Sequence, residues 1–226
     1  MTAPLSPSTG WAVVHLFCKV SERTDREAVV AATKAAEANE HQVVTAAILG
    51  HKADLAVMAF GPDVVRLRRL QADLAAGLDV VDSYVSLTEV SEYSKGMPEQ
   101  HLQARLHPDL PPEGKRAWCF YPMSKRRNVG ANWYTLPYDD RLELMYEHGK
   151  SGRTFAGRVV QLITGSTGLD DFEWGVTLFA NHPDDLKEVV YTMRFDEASA
   201  LYAEFGPFYT GVVAPVEEVL HLAGVQ

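Results

Sequence analysis

Ala59-Phe60-Gly61-Pro62-Asp63 returns later in the chain, loosened, as Leu178-Phe179-Ala180-Asn181-His182-Pro183-Asp184. Each copy is an apolar run that stops at a Pro-Asp step. That is how a buried strand hands over to a helix, because Pro suits a helix's first turn, where a missing N–H costs nothing. Outward from the first copy, residues 11–18 (Trp-Ala-Val-Val-His-Leu-Phe-Cys) read as a strand, 26–39 as an Ala-rich helix, and 42–49 and 54–60 as strands joined by Gly50-His-Lys. After it, Val64, Leu67, Leu70 and Leu74 recur at helical spacing, and 79–90 forms another strand. Around the second copy, 118–123 reads as a strand and 138–148 as a helix bounded by Pro137 and Gly149. Residues 155–164 and 173–179 are strands about Gly165-Ser-Thr-Gly168, 183–205 carries helix, and 207–213 closes the sheet. The order is β-α-β-β-α-β twice, the ferredoxin-like unit. The expected fold is therefore α+β, with two ferredoxin-like halves packing as a dimeric α+β barrel. Residues 1–10 read as a flexible tail, 11–90 as one half and 116–226 as the other. The connection at 91–115, rich in Pro, His and charge, is long for a structureless loop, which often marks a functional segment.

A chain of 226 residues should bury roughly 70–75% of its unfolded surface, enough to enclose a pocket. Its net charge of −9 argues against nucleic acid as main partner. A local cationic cluster can still hold an anionic small ligand, and Lys125-Arg126-Arg127 is the densest one here. No run approaches the ~20 apolar residues of a membrane helix. The first ten residues lack the charge and apolar core of a signal peptide, so a cytoplasmic location is expected. Cys18 and Cys119 lie in apolar runs and read as small buried hydrophobes. Without a Cys-x-x-Cys pair, neither a zinc site nor covalently attached haem is signalled.

Three residues supply a phenol, an imidazole and an amide: Tyr121, His148 and Gln161. That is the donor set of a buried haem-type site, where the imidazole ligates iron, the phenol carries a radical and the amide hydrogen-bonds on the opposite face. Each has a plainer reading. His148 falls in the last turn of its expected helix, where a cationic His is favourable. It also shares a face with Leu144 and Met145, as a core His would. Tyr121 can be an ordinary strand tyrosine, and Lys125 to Arg127 a solvated loop. Gln161 alternates with Val160 and Leu162 and points opposite to them, into a pocket or into water. Gly165-Ser-Thr-Gly168 lacks a following Lys and reads as a hairpin turn. Neither a nucleophile elbow nor a Rossmann glycine pattern occurs.

Several phrases taken together resemble one family. They are Cys119-Phe-Tyr-Pro-Met-Ser-Lys-Arg-Arg, Asn132-Trp-Tyr, Glu147-His-Gly, Ile163-Thr-Gly-Ser, Glu173-Trp-Gly-Val-Thr-Leu-Phe-Ala, and Met193-Arg-Phe-Asp-Glu through Tyr202-Ala-Glu-Phe-Gly-Pro-Phe-Tyr. From about residue 110 to 213 the chain resembles the catalytic half of coproheme decarboxylases, haem-synthesis members of the chlorite dismutase-like superfamily. The resemblance implies oxidative decarboxylation of two propionates of iron coproporphyrin III to vinyls, giving haem b, with hydrogen peroxide as oxidant. It implies His148 as proximal iron ligand, Tyr121 as catalytic tyrosine and Lys125 as its proton-handling partner. Gln161 becomes the distal amide, placing the chain in a Gln-type branch. Tyr121, Pro122, Met123, Ser124 and Lys125 would contact the porphyrin propionates, with Arg194 and Ser199 near them. An upstream propionate-binding Arg is represented by Arg105 or, on strict spacing, replaced by His107. A homopentamer and transient contact with a coproporphyrin ferrochelatase are implied too. Two alternatives are a chlorite dismutase, which would carry a guanidinium in place of Gln161, and a haem carrier, which would need His148 but not the Tyr-Pro-Met-Ser-Lys run.

Overall fold

The computed structural model describes residues 3–37, 40–94 and 96–226. The first unit comprises strand β1 (Ala12–Lys19), helix α1 (Arg26–Ala36), β2 (Gln42–Ile48), β3 (Leu55–Gly61), α2 (Val64–Ala75) and β4 (Asp79–Thr88). The second comprises β5 (Ala117–Lys125), α4 (Tyr138–Arg153), β8 (Val159–Gly165), β9 (Trp174–Ala180), α5 (Pro183–Met193) and β11 (Tyr209–Val213). Between and around them lie α3 (Glu99–Leu106), the short β6 (Arg127–Asn128) and β7 (Ala131–Asn132), a 3-10 turn (Trp133–Thr135), α6 (Glu197–Ala200), β10 (Ala203–Phe205) and α7 (Val216–Leu222).

The strands run β2-β3-β1-β4 in the first unit and β8-β9-β5-β11 in the second, the same permutation twice. Edge β11 then pairs with edge β2 (Gly211 opposite Ile48), and β4 with β8 (Leu87 opposite Gly165). With β5 also paired to β9, the sheet closes on itself, which leaves only the short β10, added beside β5, as an edge among the described residues. Alternation along each strand sorts the side chains. Trp118 and Phe120 of β5 point into the barrel with Phe17, Phe60, Tyr84 and Phe179, while Cys119 and Tyr121 point outward beneath Leu186 and Val189 of α5. Gly175 lets the interior close, since a Cβ there would lie 2.8 Å from the Tyr84 ring and 3.1 Å from Phe120. Outside the first unit, Leu16, Cys18 and Val57 pack under Leu70 and Leu74 of α2 and Val219 and Leu220 of α7. Both cysteines are buried and free. Among the described residues no helix is long and apolar enough to cross a membrane.

The outcome differs from the expectations in particular places. α4 runs through Gly149 to Arg153, so His148 is not in a last turn. A helical Gly costs only about 1 kcal/mol relative to Ala, and α4 keeps its packing on α5 and α6 by continuing, with Met193 beside Gly152. The connecting segment contains α3, and 183–205 divides into α5, α6 and the strand β10. Residues 155–158 are turn, so β8 starts later than expected. Pro62 precedes the N-cap Asp63 instead of occupying the first turn of α2, because the Asp63 side chain accepts the Val65 amide. The tail read as flexible is tied at Leu5, whose amide donates to Asp63 and whose carbonyl accepts from Val64. α1 ends at Ala36; Ala38 and Asn39, the end of the expected helix, lie outside the described residues, as do Met1, Thr2 and Lys95.

His15 is an acid liability built into this barrel. It is fully buried against Phe120 (centroids 4.2 Å apart), with Nε2 3.0 Å from Thr177 Oγ1 and Nδ1 without a partner among the described residues. Burial pushes its pKa down to about 3 from 6.5. The unfolded chain therefore binds a proton here below about pH 6.5 that the folded chain refuses, and stability falls as pH drops. His15→Gln should lose about 2 kcal/mol less than the parent between pH 7 and pH 5. Urea denaturation at both pH values measures this; equal losses in both proteins would rule it out.

Candidate active site

Tyr121 sits on the outer face of β5 and is 9% exposed. Its ring stacks on Phe208 (centroids 4.4 Å, planes 23° apart), with Phe205 edge-on at 5.6 Å. The hydroxyl has no hydrogen-bond partner among the described residues. Burial, and next the neighbouring Cys119, push the phenol far above its ordinary range, so it keeps its O–H at neutral pH. Gln161 shares this outer face two strands away. Gln161 lies opposite Leu178, which lies opposite Cys119, and the next row is Ile163, Val176 and Tyr121. At about 4.8 Å per strand, the Gln161 and Tyr121 backbones are on the order of 10 Å apart. Val160 and Leu162 pack toward the barrel interior, leaving Gln161 exposed with Ile163 40% exposed beside it. No helix covers this strip fully.

α4 contributes His148 and buries no residue completely, lying on α5 and α6 over the same side of the sheet. His148 Nδ1 is 3.1 Å from both carboxylate oxygens of Asp196 and 3.5 Å from Ser199 Oγ. Asp196 is the N-cap of α6 and also accepts the Ser199 amide at 3.1 Å. Burial opposes its charge, but the His148 and Ser199 bonds prevail and hold its carboxyl below the usual range. A carboxylate accepting from Nδ1–H fixes the tautomer and ring orientation and leaves the Nε2 lone pair for a ligand. This replaces the helix-end role that spacing had suggested for His148.

Lys125 follows Tyr121 by four residues on the same face, about 13 Å along the strand. Its ammonium donates to the Ala198 carbonyl at 2.7 Å and lies 4.3 Å from the Trp133 ring centroid. Burial lowers its pKa to about 8, while Asp196 and Glu173 pull the other way. Lys125 thus sits on the Asp196 side of the site, and its ammonium does not hydrogen-bond the Tyr121 hydroxyl. The rest of the basic run divides: Arg127 pairs with Glu173, while Arg126 is half-buried with no side-chain ion pair among the described residues.

Pro122 lies opposite Gly175, Met123 packs on the Tyr121 cluster, and Ser124 Oγ accepts the Glu173 amide at 3.1 Å. Arg194 caps the C-terminus of α5 and is exposed. Arg105 and His107 have their contacts in and around the connecting segment. Arg105 donates to Ser94 at 3.3 Å, and His107 contacts Gln103 at 3.0 Å and Trp11 edge-on at 5.1 Å. Two residues escaped sequence reasoning, Asp196 and Glu173. Both lie inside phrases quoted above, but no spacing pattern ties a residue to a partner 48 positions away.

A cleft of about 830 Å³ lies between α4 and the α5–α6 turn, lined by Asp140, Glu143, Glu147, Asp196 and Glu197 with Tyr191, Phe195 and Tyr202 among its apolar walls. Tyr121, His148 and Gln161 do not line it.

Among known proteins, the chain is 45% identical to coproheme decarboxylase of Staphylococcus saprophyticus over 77% of its own length and 74% of that protein's. It is 39% identical over 92% of its length to a provisionally named heme-binding protein of Natronomonas pharaonis, spanning 40% of that longer protein. A novel heme-binding protein from Thermus thermophilus superposes with a TM-score of 0.86 at 34% identity, covering 100% of both chains. A mutant chlorite dismutase from Candidatus Nitrospira defluvii superposes at 0.76 with 18% identity over 96% and 97% of the two chains, a likeness of fold. The sequence profile described as chlorite dismutase matches residues 22–214, and the chain belongs to that family.

Proposed function

We propose that this protein is an enzyme of haem synthesis that converts two propionates of iron coproporphyrin III to vinyl groups, yielding haem b with hydrogen peroxide as oxidant. The observation that carries this reading is the His148–Asp196 pair, with His148 on a helix packed against α5, which itself covers the buried Tyr121, a phenol with no hydrogen-bond partner among the described residues. An imidazole whose Nδ1 is held by a carboxylate would be suited to hold the iron of a porphyrin through its other nitrogen. The 45% identity to a coproheme decarboxylase supports the substrate. The uncovered strip of β8 at Gln161 and Ile163 offers a face for a flat ligand. The acidic cleft does not suit a porphyrin bearing four carboxylates, because like charges repel.

When bound, the iron porphyrin supplies the redox chemistry with peroxide. Each conversion removes two electrons and a proton from a propionate side chain and releases CO2; one peroxide takes up both electrons and becomes water. Tyr121 keeps its O–H until oxidised, and as a radical it takes a hydrogen atom from the propionate. Phe208 and Phe205 hold its ring in place. Lys125, Arg126 and Arg194 supply positive charge for the carboxylates, and Ser199 a hydroxyl. Gln161, exposed on β8, would offer an amide to the bound ligand. Arg105, bonded to Ser94 next to Tyr93, which packs on Trp133 beside Lys125, is a further cation for a propionate. Assembly as a cytoplasmic homopentamer, fed by a coproporphyrin ferrochelatase, belongs to the same reading; exposed Val81 and Val85 on β4 support contact between copies.

Mass analysis of the porphyrin after stepwise peroxide addition tests the reading. Loss of two carboxyl groups is expected; an unchanged porphyrin would leave a haem carrier, and oxygen evolution from chlorite would point to the alternative enzyme.

A further inference from the structure

Glu173 is 4% exposed at the head of β9. One carboxylate oxygen accepts the Lys125 amide at 2.8 Å, and the other pairs with the Arg127 guanidinium. Its own amide is shared between the Met123 carbonyl and Ser124 Oγ, both at 3.1 Å. One residue therefore grips Met123, Ser124, Lys125 and Arg127 in turn. Burying a carboxylate costs free energy unless it is well paired. Arg127 is 64% exposed, and an ion pair with it alone needs no burial. The burial serves the strand end and the charge next to it. The ammonium of Lys125 donates to the Ala198 carbonyl and lies over the uncharged Trp133 ring; the carboxylates that favour its charge are Asp196, from the turn before α6, and Glu173, just before β9, neither of them paired with it directly.

We propose that Glu173 is the positioning residue for Lys125: its carboxylate, shared between the Lys125 amide and Arg127, fixes the end of β5 and gives the Lys125 ammonium a second counter-charge beside Asp196. Its value to catalysis rests on the proposed part of Lys125 in decarboxylation. Its charge effect does not, and can be read on the ligand-free protein.

Protein with 13C-labelled lysine gives the Lys125 titration midpoint by NMR, the signal being assigned by its loss in Lys125→Met. Glu173→Gln keeps an acceptor for the Lys125 amide and removes the charge. Its midpoint should fall by about one pH unit, the scale of losing one nearby opposite charge. Arg127→Ala breaks the same ion pair but removes a competing cation, so the midpoint should rise by a few tenths of a unit. A role confined to holding the strand would let water reach Lys125 and raise the midpoint in both variants. That result, or no change in Glu173→Gln, overturns the proposal. Should Glu173→Gln not fold, Glu173→Asp, which draws the charge back, is expected to lower the midpoint by a smaller amount; an unchanged or raised midpoint there overturns it equally. Haem b yield against pH is measured in parallel, and its alkaline limb should move down in Glu173→Gln. A parent that makes no haem b at any pH defeats the functional reading while the NMR shifts still decide the role of Glu173.

Discussion

Tyr121→Phe is expected to bind iron coproporphyrin as the parent does and to make haem b about 1000-fold more slowly or not at all, the scale seen when one chemically essential group is removed. Phe keeps the ring that stacks on Phe208 and Phe205 and loses only the oxidisable O–H. The hydroxyl has no hydrogen-bond partner among the described residues, so its removal should leave stability within about 0.5 kcal/mol of the parent. A fall in turnover with binding and folding intact therefore isolates the chemistry of the phenol. Chromatography of porphyrins after peroxide addition, beside a binding titration and a thermal melt, reads all three quantities. Near-parent yield from the variant would remove Tyr121 from the reaction and leave it as one more ring under α5.

What could be read from the chain, and what could not, divides along physical lines. Strand alternation set Gln161 on the opposite face of β8 from Val160 and Leu162, because the period of two is set by the backbone itself. The duplicated strand-helix order carried the permutation of both units and so the closed sheet. Local rules failed where tertiary packing outweighed them. Gly149 looked like a helix end, yet its cost of about 1 kcal/mol is small beside what α4 gains on α5 and α6. Residues 183–205 were read as carrying helix with no strand among them, but Ala203–Phe205 pairs with the end of β5, opposite Lys125, Ser124 and Met123. The site showed the same division. Tyr121, His148 and Gln161 were visible as residue types in unusual company. Asp196 and Glu173, which orient His148 and hold Lys125, became visible only when the chain was folded. Lys125 itself was legible as a cation but not as a buried one, turned toward Ala198 and Trp133.

Replacing His148 by Ala should abolish the ferric spectrum of a histidine-ligated porphyrin while the protein still folds. His148 is 24% exposed on a helix that buries no residue fully, so little packing is lost. The cost falls instead on Asp196, 6% exposed at its side chain, which loses the imidazole and keeps the Ser199 amide. Leaving a buried acceptor short of a partner costs about 1–3 kcal/mol, a drop a folded domain can absorb but a melt will register. The truncation leaves a hole the size of the missing ring beside that carboxylate. Imidazole added to His148→Ala should enter it, donate one N–H to Asp196 and offer its other nitrogen to the iron, restoring much of the parent spectrum. Asp196→Ala should behave differently: the ligand remains, but nothing fixes its tautomer, and affinity should weaken by about 10- to 100-fold, as when the partner of a ligating His is removed. Added imidazole should not mend that variant, because its ligand position is already filled. An unchanged Soret band and unchanged turnover in His148→Ala would place the iron on another residue, and the pairing with Asp196 would then be only a helix-to-turn contact between α4 and α6.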